Sequence, residues 1–244
     1  MSLVLEQNKF INILLPITYR CNLRCIFCSQ YDNYGEHTSV KEIFRLIDSI
    51  SLHKVDAITL YGGEPMLHPY FFEIGQYIKK KNLKSGFISN GTLINEANID
   101  LILQSFDAGI ISIHGFEVIH NSLTNSQSFQ RTLKSIELLN FTEDFYLGIN
   151  ITVTKKNVHI LKDFILYLYN KFPNIKTFIL NRAVNDGIKV SKEILLTLDE
   201  YKLLEKQFRE LEGIGIPVEI GIPSKELPNG LNIQACSWNN HFKP

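Results

Sequence analysis

The sequence is short of the features that would send it out of the cell or into a membrane. Its opening stretch, MSLVLEQNKFINILLP, has no basic segment followed by an apolar run and a small-residue cleavage site. No apolar stretch is long enough to span a bilayer. Cysteine is scarce, four in 244 residues with three of them clustered, which does not suit a disulfide-stapled scaffold and implies a reducing, cytoplasmic setting. Net charge is missing as well. Twenty-five basic and 25 acidic residues cancel, so no global field draws the chain to nucleic acid or an anionic membrane, and neither is expected as a partner. The run Lys79-Lys80-Lys81 with Lys84 suits a solvated helix end, where cations complement the macrodipole. Low-complexity segments and sequence repeats are absent too. What remains is a chain with enough apolar residues for one large domain, expected over residues 10–220, with an extension at 1–9 and a tail at 221–244.

Against that scarcity, Cys21, Cys25 and Cys28 stand within eight residues, spaced C-x3-C-x2-C. Thiolates are soft ligands, and three on one loop can converge on a single metal centre. Four would close a structural zinc site or occupy every iron of a cubane; three leave one position open for chemistry. A disulfide is the poorer reading, because two intervening residues make poor bridge geometry. A three-thiolate zinc with a bound water stays open at this level.

The rest of the chain alternates short apolar runs with amphipathic segments, which predicts parallel strands joined by crossover helices. Strands are expected at 11–18, 57–61, 86–89, 110–114, 146–154 and 177–182. Ser39 with Glu42, and Thr197 with Glu200, have capping-box spacing at two helix starts. Asn157 is placed to cap another, and Pro69 to open the second helix. The count is six strand–helix units, an α/β fold of the partial (βα)6, TIM-like barrel kind. The cysteines, Gly62-Gly63-Glu64-Pro65, Asn90, Ser112 and His114 all fall at or just after strand ends, where parallel barrels carry their active sites. In the fifth strand Ile149, Ile151 and Val153 alternate with Gly148, Asn150, Thr152 and Thr154. The apolar set is expected to face the helices and the polar set the barrel interior. By the same parity Ile111 and Ile113 face outward, Ser112 and His114 inward. The glycines of the GGEP segment read as a place where backbone must approach a ligand.

The cysteine spacing, Phe27 just before the last cysteine, and GGEP about one strand–helix unit later resemble the radical S-adenosylmethionine (SAM) enzymes. The resemblance covers roughly residues 10–184. It implies a [4Fe-4S] cluster on Cys21, Cys25 and Cys28, with the fourth iron chelated by SAM. It implies that Gly63 and Glu64 receive the methionine amino group, with Gly62 beside them in the cofactor-binding set, that Phe27 lies near the adenine, and that Asn90 and Ser112 hold the ribose or the carboxylate. Asn150 is assigned to the ribose. His114, standing where many relatives carry aspartate in Ser-x-Asp-Gly, is placed within reach of SAM or substrate. A low-potential donor of the flavodoxin or ferredoxin kind is implied as the electron source.

The segments 120–129 and 153–157 resemble, more loosely, radical SAM enzymes that modify peptides. The favoured substrate is thus a ribosomally made peptide, with a small-molecule natural product or cofactor precursor as the alternative. Rivals from other classes are a zinc hydrolase and a non-catalytic metal-binding module. Those peptide-modifying relatives usually carry a further cysteine-rich domain. Cys236, beside Trp238 in the proline-bearing tail, is then either a free thiol or the first ligand of such a domain.

Overall fold

The computed structural model describes residues 10–28, 35–184 and 190–221. Seven strands form one sheet in the order of the chain: β1 Asn12–Thr18, β2 Ala57–Gly62, β3 Lys84–Ser89, β4 Ala108–Ser112, β5 Tyr146–Val153, β6 Ile175–Arg182 and β7 Val218–Ile220. Every neighbouring pair is parallel. Seven α-helices connect them: α1 Val40–Ser51, α2 Phe71–Lys80, α3 Ile99–Ser105, α4 Glu117–Thr124, α5 Phe129–Leu139, α6 Leu161–Lys171 and α7 Leu198–Gly213. The sheet does not close on itself; β1 and β7 are its edges. No helix among the described residues is long and apolar enough to cross a membrane.

Strand parity sets the two faces. Leu15, Ile17, Ile58, Leu60, Phe87, Ile111, Leu147, Ile149, Ile151, Phe178 and Leu180 share one buried core with the inward faces of the helices. Within it Phe71 of α2, Phe87 of β3 and Phe106 after α3 pack with centroids 4.6–5.6 Å apart, each pair tilted or edge-on as aromatic quadrupoles prefer. Thr197 and Glu200 form their capping box at the start of α7, whereas the Ser39 side chain makes no cap bond at α1.

The opposite face, the barrel interior, is layered rather than uniformly polar. Ala108, Ile110, Tyr146 and Ile179 form a second buried cluster against Phe10 and Ile88. Register sets Ser112 beside Asn150, and Thr152 beside Asn181, further along the strands toward their C-terminal ends. The interior thus has an apolar floor beneath a polar upper wall. The expected polar lining holds for the upper wall only.

Two elements were not anticipated. Helix α4 is only eight residues long and follows Phe116 without a side-chain cap. Strand β7 has three residues directly after Pro217 and pairs with β6 through Phe178 to Leu180. The expectations for the extension at 1–9 and for Cys236 and Trp238 lie outside the described residues.

Candidate active site

At the C-terminal ends of the strands an open-mouthed pocket of about 970 Å³, counted out to its mouth, is lined by Cys21, Cys25, Phe27, Cys28, Gly62, Gly63, Asn90, Ser112, His114 and Asn150, among others. Every site candidate from the sequence except Glu64 reaches it.

The cysteine loop leaves the end of β1 and is held by its own backbone. Leu23 N donates to Cys21 Sγ at 3.4 Å, and Arg24 Nη1 donates to the carbonyls of Cys21 and Leu23 at 2.7 and 2.8 Å. Cys28 N donates to Cys25 O, and Ile26 N reaches Leu123 O on α4 at 2.9 Å. All three thiols are free and partly exposed. Burial raises the pKa of Cys21, opposed by the Leu23 amide. Burial, then the proximity of Cys28 and Cys21, pushes Cys25 up to about 12. Cys21 and Cys25 therefore stay protonated until a metal displaces their protons, and loading must release them. Among the described residues no three His, Cys, Asp or Glu side chains are placed to share one metal ion. A cubane asks for a different arrangement, one thiolate on each of three irons. Three thiols around one pocket, none paired in a disulfide, fit such a group.

The GGEP segment lies directly against this loop. Gly63 N donates to Thr18 O at 2.8 Å, and Glu64 N to Arg20 O at 2.7 Å. A Cβ on Gly62 would meet Thr18 O at 2.0 Å, and one on Gly63 would meet Arg20 O at 2.2 Å. Gly62 also has φ +142°, where glycine is the default residue. The glycines are thus required first by the protein's own backbone, which crosses here, rather than by the approach of a ligand.

Glu64 sits beneath the pocket, fully buried. Its carboxylate accepts from Ser89 Oγ at 2.9 Å, Asn90 N at 2.8 Å and Met66 N at 3.2 Å. Burial drives its pKa up to about 7, with those three donors pulling it back. The carboxylate is spent on β3 and its own turn, so its geometry joins the end of β2 to the end of β3.

The other wall comes from β4, β5 and β6. Asn181 Nδ2 donates to Asn150 Oδ1 at 2.6 Å, and Asn150 Nδ2 to Ser112 Oγ at 3.2 Å. His114 is 3% exposed, lines the pocket, and meets the Phe27 ring edge-on at 4.7 Å. Its Nδ1 accepts from Thr152 N at 3.1 Å. Its backbone N donates to His120 Nδ1 at 3.2 Å, and His120 Nε2 lies 3.1 Å from Ser128 Oγ. Each ring thus has its Nδ1 occupied by an amide N–H, and a neutral imidazole in that setting carries its proton on Nε2. Burial holds His120 down at about 4 and depresses His114 well below the ordinary value, where nearby His120 adds to the effect.

Asn181, Thr152 and His120 escaped the sequence reading of the site. For Thr152 the signal was present in the parity of β5. For His120 it was not, because its partner lies in a different turn. His68 serves helix entry: its Nδ1 accepts from Tyr70 N just ahead of α2, and its Nε2 meets Thr38 O.

Residues 15–142, just over half of the chain, match the Radical SAM superfamily, and the chain belongs to that family. Among its curated relatives, the antilisterial bacteriocin subtilosin biosynthesis protein AlbA of Bacillus subtilis is 29% identical over 64% of this chain and 37% of its own. The AdoMet-dependent heme synthase of Methanosarcina barkeri is 33% identical over 60% of this chain and 43% of its own. The match thus spans less than half the length of each. Among solved structures, Streptococcus suis SuiB bound to S-adenosylmethionine superposes with a TM-score of 0.72 at 15% identity, over 87% of this chain and 51% of that one. SuiB bound to its precursor peptide SuiA gives 0.70 at 16% identity, over 87% and 49%. At that identity the likeness shows the fold: a radical SAM barrel built from parallel strands with outer helices.

Proposed function

We propose that this chain is the catalytic core of a radical SAM enzyme acting on a ribosomally made peptide. The observation that carries the reading is one pocket, at the C-terminal ends of parallel strands, lined by three free thiols and by the glycine turn that packs on their loop. Cys21, Cys25 and Cys28 would hold a [4Fe-4S] cluster with one iron left for SAM. When bound, cluster and SAM would supply the hard chemistry, with a low-potential flavodoxin- or ferredoxin-like donor as the electron source: reductive cleavage of the sulfonium and removal of hydrogen from an unactivated carbon.

The chain's own residues bind, orient and exclude water. Gly62 and Gly63 present backbone to the methionine end, with Glu64 holding that turn from below. Phe27 offers an apolar ring edge beside His114. Ser112 and Asn150 face the pocket as one hydrogen-bonded pair for the ribose or carboxylate. His114 offers a neutral Nε2–H and no acceptor, so it can donate to a ligand oxygen or nitrogen but cannot serve as a base.

The test is anaerobic reconstitution followed by reduction with SAM present. About four irons per chain and release of 5′-deoxyadenosine are expected. A colourless protein carrying one zinc would overturn the reading in favour of a hydrolase or binding module. A peptide substrate is supported by the likeness to AlbA and by the SuiB complex with SuiA. It is tested by incubation with small peptides encoded beside the gene and mass analysis of the product. A cofactor precursor is the second reading, supported by the 33% identity to the heme synthase.

A further inference from the structure

Three side chains, of which Asn90 lines the pocket, close a ring beside it. Asn90 Nδ2 donates to Asn22 Oδ1 at 2.8 Å, Asn22 Nδ2 donates to Thr92 Oγ1 at 2.8 Å, and Thr92 Oγ1 donates to Asn90 Oδ1 at 2.6 Å. All three bonds run the same way round, and hydrogen bonds in such a chain polarise one another. Asn22 stands next to Cys21, while Asn90 and Thr92 follow β3. The ring therefore bridges a separation of about seventy residues and fastens the thiol loop to the barrel.

Three of the four hydrogen-bonding positions of the Asn90 amide are taken. An amide has two donors and two acceptor lone pairs. The oxygen takes Thr92 Oγ1 and Thr92 N, the latter at 2.9 Å. The nitrogen gives one N–H to Asn22, and it approaches Cys21 Sγ at 4.0 Å. The residue's backbone is fixed as well, N–H to Glu64 Oε2 at 2.8 Å and carbonyl from Thr132 Oγ1 at 2.9 Å. We infer that Asn22, Asn90 and Thr92 are positioning residues for Cys21, and that the Asn90 amide serves the thiol loop instead of bound SAM. The inference rests on the cluster assignment above.

The test uses the full chain, reconstituted anaerobically, and compares Thr92→Val, Thr92→Ser, Asn22→Ala, Asn90→Ala and the Asn22→Ala/Asn90→Ala pair. Thr92→Val keeps the side-chain shape and removes the ring's hydroxyl; Thr92→Ser restores it. Iron loss to a chelator should quicken about ten-fold in Thr92→Val and in each Asn variant, the scale of one lost hydrogen bond. Thr92→Ser should match the parent. The double variant should be no worse than either single one, because the ring acts as a unit. In Asn90→Ala the cluster's reduction potential should also fall, since donors aimed at a ligand sulfur raise it. SAM affinity, read from the change SAM causes in the reduced cluster's EPR signal, should stay within about two-fold throughout.

Additive effects in the double variant would overturn the ring. Loss of SAM affinity in Asn90→Ala alone, with iron loss unchanged, would return Asn90 to the cofactor. Thermal unfolding of the metal-free chain, run as the same double-mutant cycle, reads the Asn22–Asn90 coupling without any cluster. A parent chain that loads no iron but shows this coupling would therefore sink the cluster reading and leave the ring standing.

Discussion

The pocket has two walls that spend their polar groups differently. On the wall made by the cysteine loop and the ends of β2 and β3, side chains are spent on the protein itself: Glu64 on Ser89 Oγ and the Asn90 backbone N–H, Asn90 on Asn22 and Thr92. On the wall made by β4, β5 and β6, Ser112 and Asn150 line the pocket as a bonded pair, backed by Asn181. There His114 has its Nε2 without a hydrogen-bond partner among the described residues. One wall is built to hold a loop of thiols still. On the function proposed above, the other meets the ligand. An apolar floor of Ala108, Ile110, Tyr146 and Ile179 lies below both, so neither needs to fill the barrel.

The largest expected effect breaks the first wall at its purpose. Cys21→Ala, Cys25→Ala or Cys28→Ala should each abolish the cluster, leaving the brown absorbance and the iron near zero. Three variants with full iron would refute the assignment. Cys236→Ala should leave iron content unchanged at about four.

Next comes the crossing of backbones beneath that wall. Gly63→Ala places a methyl 2.2 Å from Arg20 O and 2.6 Å from its carbonyl carbon, contacts that no side-chain rotation relieves. Overpacking of this kind costs about 3 kcal/mol, or about 10 °C in melting temperature for a chain of this size. The cysteine loop should loosen first, so thiol alkylation in the metal-free chain should quicken. A melting temperature within 2 °C of the parent would show that the crossing is not tight.

This crossing also marks where sequence reasoning stops. The α/β class, six of the seven strands, the outward set of β5 and the site's location were legible, because they rest on periodicities of two and 3.6 within one segment. Why the glycines are glycines was not, since Thr18 and Arg20 press on them from another strand's end. The same holds for Asn90, whose side chain is committed to Asn22 and Thr92, and for His120, whose partner is the backbone of His114. Pairings between segments leave no local signature. Short elements fail differently: β7 has three residues and α4 eight, too few to establish a period.

Glu64 sharpens the comparison through pH. Its folded pKa of about 7 lies above the ordinary carboxyl value of 4.5, so between those values the folded state holds more protons than the unfolded one. Stability from this group is fully present below pH 4.5 and is lost as pH rises through about 7. The gap corresponds to about 3 kcal/mol. Glu64→Gln should therefore flatten that fall in the metal-free chain, and the difference between parent and variant isolates it from the histidines. Equal slopes in both proteins would mean the carboxylate is not buried as described. In the loaded protein Glu64→Gln should weaken SAM binding only through the turn it supports, by less than about ten-fold, a scale smaller than a lost direct charged bond.

The smallest expected effect belongs to the second wall, where His114 and His120 should barely respond to acid. Protonating His114 would put a proton on Nδ1, which faces the Thr152 amide N–H at 3.1 Å. His120 would face the N–H of His114 at 3.2 Å in the same way. Each protonation sets donor against donor, so both rings should remain neutral Nε2–H tautomers. Long-range ¹H–¹⁵N spectra of the metal-free chain should show two such imidazoles whose shifts hold steady from pH 8 to about 5.5. The linkage runs opposite to that of Glu64: with folded values depressed, the unfolded state binds more protons below pH 6.5, and stability falls as pH drops. Adding SAM should then move one signal more than the other. His114 lines the pocket, whereas His120 donates to Ser128, so a shift confined to His114 is expected. A midpoint between pH 5.5 and 7 for either ring, or an Nδ1–H tautomer at His114, would mean that this wall presents an acceptor to its ligand. The contrast between the two walls would then have to be redrawn.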